Sequence, residues 1–389
     1  MSFLNIIPFN KPFLTGNETK YIEQSVLSGK ISGDGLFSRK CHEFFEKRFG
    51  FKKALLTTSC TDALEMAAIL LDIKEGDEVI APSFTFVSTV NAFILRGASI
   101  VFADSHPYHP NIDANLIEGL ITSKTKVIIA VHYAGFACDM DKIMEIAHKH
   151  DLFVVEDAAQ AIDNRYLSKK TGAKILGSIG HIAAFSFHET KNIISGEGGL
   201  VIINKPELVS RAEIIREKGT NRSAFFRGEI DKYGWIDIGS SFLPSDIIAA
   251  FLWAQLENLD NIQNIRKSIW NNYYDLLLPL QHLRFIHLPQ IPSYSENNGH
   301  MFYLVVNNLE VRTNLIEYLK KQGIFLTFHY VPLHKSKFYV AKHNGRKLPN
   351  CDHFSDCLVR LPFFNSISKD EIKRVVVGIY DFFGVSLAN

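Results

Sequence analysis

The stretch Leu152-Phe153-Val154-Val155-Glu156-Asp157-Ala158-Ala159-Gln160 decides the fold of this chain. Its apolar start is typical of a strand in a sheet that helices cover on both faces. The strand ends in two carboxylates, and wound α/β sheets bind their ligands at the carboxyl ends of their strands. An Asp in this place often only caps the next turn, but the small residues after Asp157 indicate that something flat approaches closely. We therefore predict an α/β fold with Asp157 at a ligand site.

Apolar runs and amphipathic stretches alternate on both sides of this strand, which is typical of a large, mostly parallel sheet. The predicted strands are Ala54 to Ser59, Glu78 to Pro82, Ser99 to Ala103, Lys126 to His132, Leu152 to Glu156, His181 to Phe187 and Leu200 to Asn204. The predicted helices are Cys41 to Phe49, Thr61 to Leu71, Val87 to Arg96 and Met140 to His150. We assign these elements to a large domain at residues 1–244.

The pattern changes near Ser245, where one long helix is predicted as far as Tyr274. Strand-like Met301 to Val306 and Phe325 to Tyr330 then alternate with helical stretches. This pattern predicts a smaller C-terminal α/β domain at residues 245–389. Because no low-complexity linker separates the two domains, we expect them to pack tightly.

Composition limits the partners of the chain. Its 42 Lys and Arg residues against 41 Asp and Glu give a net charge of +1, which offers no general attraction for nucleic acid or an anionic membrane. No apolar run approaches the ~20 residues that span a bilayer, and Met1 to Asn5 do not resemble the start of a signal peptide. We therefore expect a cytoplasmic protein that binds any anion through local groups.

The cysteines are few and scattered: Cys41, Cys60, Cys138, Cys351 and Cys357. Their odd number favours reduced thiols over a disulfide framework. The run Cys351-Asp352-His353, followed by Cys357, superficially resembles a metal cluster. No second pair with structural-zinc spacing accompanies it, so we expect no metal site.

A candidate anion site lies at Thr57-Thr58-Ser59-Cys60-Thr61-Asp62-Ala63-Leu64, where a predicted strand meets a predicted helix. Free amides at a helix start bind anions. The alternative is an ordinary N-cap in which Ser59 or Thr61 bonds only to the backbone. The chain has neither Gly-x-x-x-x-Gly-Lys nor Gly-x-Gly-x-x-Gly, which disfavours nucleoside triphosphates and dinucleotides bound in the usual ways. If this site binds a phosphate, the phosphate belongs to another kind of ligand.

A lysine follows the strand Phe185-Ser186-Phe187-His188-Glu189-Thr190-Lys191-Asn192, just before the glycine-rich turn Gly196-Glu197-Gly198-Gly199. A lysine in a loop is usually a solvated surface charge. It becomes a nucleophile where its pKa is lowered, and the Schiff base that it then forms is the basis of pyridoxal-phosphate (PLP) chemistry.

The three features follow one another in a characteristic order: a helix start, an acid at a strand end and a lysine. With them, the chain resembles the sugar aminotransferases of the DegT/DnrJ/EryC1/StrS family over nearly its whole length. The strongest stretches are Pro82 to Ala92, Glu156 to Gln160, Ser186 to Lys191, Gly196 to Gly199 and Gly323 to His334. The resemblance implies the aspartate-aminotransferase-like (type I PLP) fold, with PLP as cofactor and pyridoxamine phosphate as intermediate.

The resemblance also implies roles for single residues. Lys191 would carry PLP as a Schiff base and move the proton between the substrate carbon and the cofactor. Asp157 would pair with the pyridine nitrogen, Gln160 would bond to the phenolic oxygen, and Phe86 would stack on the ring. Three residues would hold the phosphate: Cys60, Thr61 and Ser186.

The chain departs from the family pattern at Gly239-Ser240-Ser241-Phe242-Leu243-Pro244, where members commonly read Gly-Tyr-Asn-Tyr-Arg-Met. The family's Asn reaches across a homodimer to the partner's cofactor phosphate. Ser241 takes its place with a shorter reach, and the alternative is that Ser241 only caps the helix near Ser245. The resemblance thus implies a homodimer with its active sites at the interface.

The same stretch, with Arg216 to Ser223 and Phe225 to Gly228, resembles one subgroup of the family. That subgroup makes dTDP-4-amino-4,6-dideoxygalactose for enterobacterial common antigen. The resemblance implies transfer of an amino group from L-glutamate to C4 of dTDP-4-keto-6-deoxy-D-glucose. The expected substrate-binding residues are Lys218, Arg222 and Arg227 for the diphosphate, and His188 and His329 beside the sugar.

Three other functions remain open. A PLP-dependent sugar dehydratase carries a histidine where this chain has Lys191. Another transaminase would aminate C3, give the other C4 epimer, or use a GDP- or UDP-linked sugar. A non-catalytic sugar-nucleotide sensor would keep the fold and lose the chemistry, and the presence of Lys191, Asp157 and Gln160 together argues against it.

Overall fold

The computed structural model describes residues 6–386. Met1 to Asn5, on which we based the expected absence of a signal peptide, lie outside the described residues. Within the described range, no helix is both long enough and apolar enough to cross a membrane.

The strands are short, and most of them lie in the first half of the chain. They are β1 (Ala54–Thr57), β2 (Glu78–Pro82), β3 (Ser99–Ala103), β4 (Ser105–His106), β5 (His109–Ile112), β6 (Thr125–Val131), β7 (Phe153–Asp157), β8 (Arg165–Ser168), β9 (Gly172–Ile175), β10 (Ile182–Ser186), β11 (Gly199–Ile203), β12 (Ile286–His287), β13 (Tyr303–Val306), β14 (Thr327–Phe328) and β15 (Leu358–Arg360).

The helices alternate with these strands and then dominate the C-terminal third. They are α1 (Glu18–Leu27), α2 (Leu36–Phe49), α3 (Cys60–Leu70), α4 (Ser88–Ile94), α5 (Ala114–Ile117), α6 (Met140–Lys149), α7 (Val209–Arg216), α8 (Arg222–Phe226), α9 (Asp246–Glu257), α10 (Leu259–His282), α11 (Leu309–Lys321), α12 (Pro349–Cys357) and α13 (Lys369–Phe382).

The larger sheet has seven strands in the order β1-β11-β10-β7-β6-β2-β3. Strand β11 is antiparallel to both of its neighbours, and the remaining pairs are parallel. The other six strands therefore end at the same edge of the sheet. All seven are strands that the sequence predicts, so the expected mostly parallel sheet is confirmed.

Both faces of this sheet are buried. In β7, for example, Val154 belongs to one apolar core and Val155 to the other, because successive side chains of a strand point to opposite faces. The core that contains Val155 continues into the C-terminal part, where it includes Trp270 and Tyr303. The two sheets therefore share one core.

The smaller sheet has four antiparallel strands in the order β12-β13-β15-β14, all from the C-terminal part. The first described residues join it. Ile7 donates to Gly323 O (2.9 Å) and accepts from Phe325 N (3.1 Å), and Phe363 N donates to Phe9 O (3.1 Å). The chain then returns to the larger sheet, where α1 packs against α9.

One long helix was predicted from Ser245 to Tyr274, and that prediction is wrong. The chain forms α9 and α10, with Asn258 between them at φ −106° and ψ 12°. The side chain of Asn258 donates to Ala254 O (3.0 Å) and so satisfies a terminal carbonyl of α9. No glycine or proline marks this break in the sequence. The assigned boundary between residues 244 and 245 stays a prediction.

Candidate active site

A cavity of about 620 Å³ opens where several parallel strands end. Val131 ends β6, Asp157 ends β7 and Ser186 ends β10, and α3 begins beside them. The topology thus gathers residues that lie far apart in the sequence. Nine residues that the sequence predicts for the site line this cavity: Cys60, Thr61, Phe86, Asp157, Gln160, Ser186, His188, Lys191 and His329.

The start of α3 forms the floor of a possible anion site. Ser59 caps the helix, since its side chain accepts from Asp62 N (3.0 Å), and the N-cap alternative therefore holds for Ser59. Thr61 faces Ser88 instead, and their hydroxyls lie 2.8 Å apart. The first amides of a helix have no partner within it, so the backbone at Cys60 and Thr61 can donate to an anion.

Gly199, the first residue of β11, lets the sheet approach this helix start. A Cβ atom at this position would lie 2.3 Å from the carbonyl carbon and oxygen of Ser59 and 2.5 Å from Cys60 N. All three are backbone atoms, so no side-chain movement could relieve the contact. The glycine therefore fixes the distance between β11 and the anion site.

Asp157 is held in one orientation by two donors. Its Oδ2 accepts from the Thr89 hydroxyl at 2.7 Å, and its Oδ1 accepts from Ala159 N at 3.2 Å. The Thr89 hydroxyl is in turn 2.7 Å from the hydroxyl of Thr85, which lies in the turn before α4. The carboxylate is 6% exposed and lines the cavity. It can accept a further hydrogen bond from a ligand there.

Gln160 is also fixed. Its Oε1 accepts from Ala134 N at 2.7 Å, and its Nε2 donates to the Tyr330 hydroxyl at 3.3 Å. Because the amide nitrogen has two hydrogens, a second donor remains for a ligand. The Tyr330 ring lies 6.4 Å from the ring of Phe86, which is 57% exposed at the cavity wall.

Lys191 lies in the turn that follows β10, where its backbone N–H donates to His188 O (2.9 Å). Burial is the main cause that lowers the pKa of its amine, and the positive charge of Arg360 lowers it further, although Cys60 and Asp157 oppose the shift. A lysine amine becomes nucleophilic when it loses its proton. This environment suits a covalent bond to an aldehyde.

Glu156 anchors the strand end from behind the cavity. Its buried carboxylate accepts from His132 Nε2 (2.9 Å), Gly177 N (2.8 Å) and Gly180 N (2.5 Å). Burial alone would raise the pKa of Glu156, but the hydrogen bonds from His132 and these amides lower it. The pair of acids in the sequence thus divides into a structural Glu156 and a cavity-lining Asp157.

His329 and Arg360 form the wall on the side of the smaller sheet. One terminal nitrogen of Arg360 lies 2.6 Å from His329 Nε2, and His329 Nδ1 lies 3.2 Å from the Tyr133 hydroxyl. Burial and the charge of Arg360 lower the pKa of His329 far below its usual range. His329 is therefore neutral at neutral pH.

His188 lies at the rim of the cavity. Its Nδ1 is 2.9 Å from the Thr190 hydroxyl, and its Nε2 is 3.8 Å from Glu197. With 42% of its side chain exposed, His188 is accessible to a ligand at the mouth.

Four predicted residues do not line the cavity of their own chain: Lys218, Arg222, Arg227 and Ser241. The backbone of Ser241 bridges to Glu217, and Ser245 rather than Ser241 caps α9 through a bond from Ile248 N (3.4 Å). The alternative of a helix cap at Ser241 is therefore wrong.

The cations of this region are exposed. Arg222 donates to Glu217 (3.2 Å), while Arg227 contacts Glu213 (2.9 Å) and Glu229 (2.7 Å), which raise the pKa of its guanidinium. Arg227 is therefore already paired within its own chain.

Some cavity residues were not predicted from the sequence: Thr89, Tyr330, His300, Glu197 and Arg360. Thr89 has no signal of its own, although it lies within the quoted stretch Pro82 to Ala92. Arg360 has a usable signal, because it is a single charge inside the apolar run Leu358 to Pro362. Charged residues are rarely buried without a function or a partner.

Comparison with known proteins agrees with this geometry. The family model described as "DegT/DnrJ/EryC1/StrS aminotransferase family" matches residues 12–380. The chain is 35% identical to the uncharacterized protein MJ1066 of Methanocaldococcus jannaschii. The match extends over 345 residues and covers 87% of each chain.

Solved structures with the same fold include Spr1654 from Streptococcus pneumoniae, named as a sugar aminotransferase, in its PLP form (25% identity, TM-score 0.87, 97% and 98% of the two chains). S. venezuelae DesV is 29% identical, with a TM-score of 0.86 over 97% and 98% of the two chains.

The chain belongs to the DegT/DnrJ/EryC1/StrS aminotransferase family. The expectation of a PLP-dependent sugar aminotransferase with the type I fold is thereby confirmed.

Proposed function

We propose that this enzyme transfers the amino group of L-glutamate to C4 of dTDP-4-keto-6-deoxy-D-glucose and releases dTDP-4-amino-4,6-dideoxygalactose. One observation carries the proposal. Lys191, Asp157 and Gln160 surround a single cavity beside a helix start that can bind a phosphate. The choice of sugar rests on the subgroup resemblance of residues 216–228 and 239–241.

The residues present fit PLP. The backbone amides of Cys60 and Thr61, the Thr61 hydroxyl and Ser186 would hold its phosphate, and the exposed ring of Phe86 would stack on its ring. Gln160 has an amide hydrogen free for the phenolic oxygen. When bound, PLP supplies an electron sink for the charge that develops at the substrate carbon.

Asp157 would keep the pyridine nitrogen protonated. A pair of unit charges 4 Å apart at an effective dielectric near 20 interacts by ~4 kcal/mol, or about 3 pK units. Thr89 and Ala159 hold the carboxylate in place for this contact. Lys191 would bind the cofactor covalently and, once released by the donor, move the proton at the reacting carbon.

Binding of the nucleotide sugar requires groups that contact its diphosphate. Lys218 and Arg222 are exposed, and we propose that they reach the site of a partner subunit with Ser241 and Arg227. His188 and His329 would lie near the sugar. A net charge of +1 makes such local cations necessary.

A homodimer is the second part of the proposal. The segment around these cations carries large exposed apolar side chains, including Phe226 (68% exposed), Trp235 (83%) and Ile236 (58%). Exposed apolar patches of this kind mark protein interfaces.

We also propose a cytoplasmic location, which the five free cysteines and the proposed nucleotide-sugar substrate support.

The test is a panel of keto sugars. Purified protein loaded with PLP is incubated with L-glutamate and dTDP-, UDP- or GDP-linked keto sugars, and products are identified by mass and NMR. We expect conversion of dTDP-4-keto-6-deoxy-D-glucose to the galacto amine. Lys191→Ala, the matched control, should lose the yellow absorbance and all turnover. Preferred conversion of another sugar would overturn the substrate assignment.

The diphosphate cations are tested by separate half-reactions. Arg222→Ala, Arg227→Ala and Lys218→Ala should weaken binding of the keto sugar and spare the half-reaction with glutamate, which involves no diphosphate. Equal losses in both halves, or none in either, would show that the diphosphate binds elsewhere.

A further inference from the structure

Two arginines in the C-terminal part, the buried Arg266 and the half-buried Arg360, differ in how their guanidinium groups are satisfied. Arg266 is 3% exposed, and each of its nitrogens has an oxygen acceptor. These acceptors are Gly299 O (2.9 Å), Asn365 Oδ1 (2.9 Å) and His300 O (2.6 Å). The hydrogen-bonding capacity of Arg266 is therefore used within the protein, and its role is structural.

Arg360 lacks such acceptors. One terminal nitrogen donates to His329 Nε2, while Nε has no partner among the described residues. The guanidinium lies 4.6 Å from the centre of the Phe9 ring, and part of the side chain lines the cavity. A half-buried cation with so few partners is stabilised when an anion in the cavity joins it.

The neighbours of Arg360 cannot supply this anion. Since arginine can only donate, His329 accepts at Nε2, and its hydrogen is on Nδ1, which points to Tyr133. His329 is therefore neutral. Burial lowers the pKa of Arg360, and the groups that oppose this shift are Tyr133 and Tyr330, not a carboxylate of the described residues.

The carboxylates that line the cavity have other partners. Asp157 accepts from Thr89 and Ala159 N, and Glu197 lies near His188 at the rim. The positive charge on this wall therefore remains uncompensated within residues 6–386. It faces the same cavity as Lys191, whose pKa it lowers.

We propose that Arg360 binds a carboxylate of the amino donor. This inference rests on the proposed function, in which the donor is glutamate. A planar guanidinium matches a carboxylate through two parallel hydrogen bonds. The donor must bring its amine to Lys191, so its carboxylate lies within the same cavity. The nucleotide diphosphate is the other anion of the reaction, and we assign it to the exposed cations instead.

The experiment uses glutarate, a dicarboxylate without an amine, as an unreactive probe. Its dissociation constant is measured by calorimetry on PLP-loaded wild type, Arg360→Gln, Arg360→Lys and Arg266→Lys, with dTDP as a second probe. We expect Arg360→Gln to weaken glutarate binding about 10- to 100-fold, as for loss of a charge-assisted hydrogen bond. The glutarate dissociation constant of Arg360→Lys should lie between those of wild type and Arg360→Gln, since lysine keeps the positive charge but cannot form two parallel hydrogen bonds.

Arg266→Lys is the matched control. It should lower Tm, because it breaks satisfied buried bonds, and it should leave the glutarate dissociation constant within about twofold. Arg360→Gln should show the reverse pattern, with Tm lowered by no more than about 2 °C. For Arg360→Gln, the affinity for dTDP should also stay within about twofold.

Unchanged glutarate affinity in Arg360→Gln would overturn the inference, and so would an equal loss for dTDP. The proposed function fails in a different way. If wild type converts no dTDP-linked keto sugar while glutarate binding still depends on Arg360, the sugar assignment is wrong and the donor site stands.

Discussion

Thr89 donates to Asp157 from α4, a helix to which the carboxylate does not belong. At the residue scale, the site depends on such supporting bonds as much as on the groups that touch a ligand. Asp157 could be predicted because it ends an apolar strand. Thr89 could not, because no pattern in its own segment shows that α4 packs its hydroxyl against Asp157.

We expect Thr89→Val to slow the glutamate half-reaction about 10- to 100-fold, since a carboxylate that loses a donor also loses its fixed orientation. The rate is measured by single-turnover absorbance. PLP affinity should change little, because the phosphate contacts are intact. Thr85→Val, which removes only the next hydroxyl along, should have a smaller effect; equal effects would argue against the positioning role of Thr89.

The contact between β11 and α3 gives a prediction at the scale of elements. We expect Gly199→Ala to weaken PLP binding at least tenfold and to lower Tm by several degrees, because the added Cβ would meet backbone atoms of Ser59 and Cys60. Gly119→Ala is the control, as a Cβ there has nothing within 4 Å. Similar PLP affinities and Tm values for the two variants would mean that β11 can move away from α3 at little cost.

Glu156 ties β7 to the turn before β10, and its role should depend on pH. We expect Glu156→Gln to lose roughly 2–4 kcal/mol of unfolding free energy at pH 7. The pKa of Glu156 is lowered in the folded state from 4.5. Its contribution is therefore complete above that value and is lost as the pH falls through the lowered pKa.

The difference between wild type and Glu156→Gln should accordingly shrink in acid. Denaturant unfolding at pH 7 and at several values below pH 4.5 measures it, with the exposed Glu23→Gln as control. A difference that stays constant into acid would assign the stabilisation to something other than the ionised carboxylate.

The elements show why sequence patterns predict one part of the fold better than another. All seven strands of the larger sheet could be located, because strands buried on both faces are nearly continuous apolar runs. The short strand β14 was overestimated as Phe325 to Tyr330, since alternation there reflects a cavity wall and not a longer ladder. The break at Asn258 lacks a signal, because asparagine is tolerated within helices as well as at their ends.

At the scale of the whole molecule, local patterns indicate only three parts of the cavity: Asp157, Lys191 and the helix start at Cys60 and Thr61. Its other predicted residues were assigned through the family resemblance. The four that lie outside it, Lys218, Arg222, Arg227 and Ser241, were inferred from the family pattern. We propose that this segment contacts a partner subunit, so the patterns within one chain do not determine its neighbours. Their roles stay predictions that only the assembled dimer can test.

Subunit mixing provides that test. At a keto-sugar concentration too low for Arg222→Ala to turn over, we expect a mixture of Lys191→Ala and Arg222→Ala to regain about a quarter of wild-type activity after exchange, because half the dimers are mixed and each has one intact site. Mixing Lys191→Ala with Asp157→Asn is the control. Both residues line the cavity of their own chain, so no mixed dimer has an intact site. Recovery in the control, or none in the test pair after verified exchange, would contradict a shared site.

The pairing of Ile7 with residues 323–325 sets an order for synthesis. Ile7 leaves the ribosome before its partners at residues 323–325, which follow after roughly 15–60 s of synthesis at about 5–20 residues per second. Phe9 contacts Arg360, which is synthesised later still. The larger sheet can form while this first segment is still unpaired. The wall of the cavity that carries Arg360 is therefore completed only after residues 360–363 have emerged.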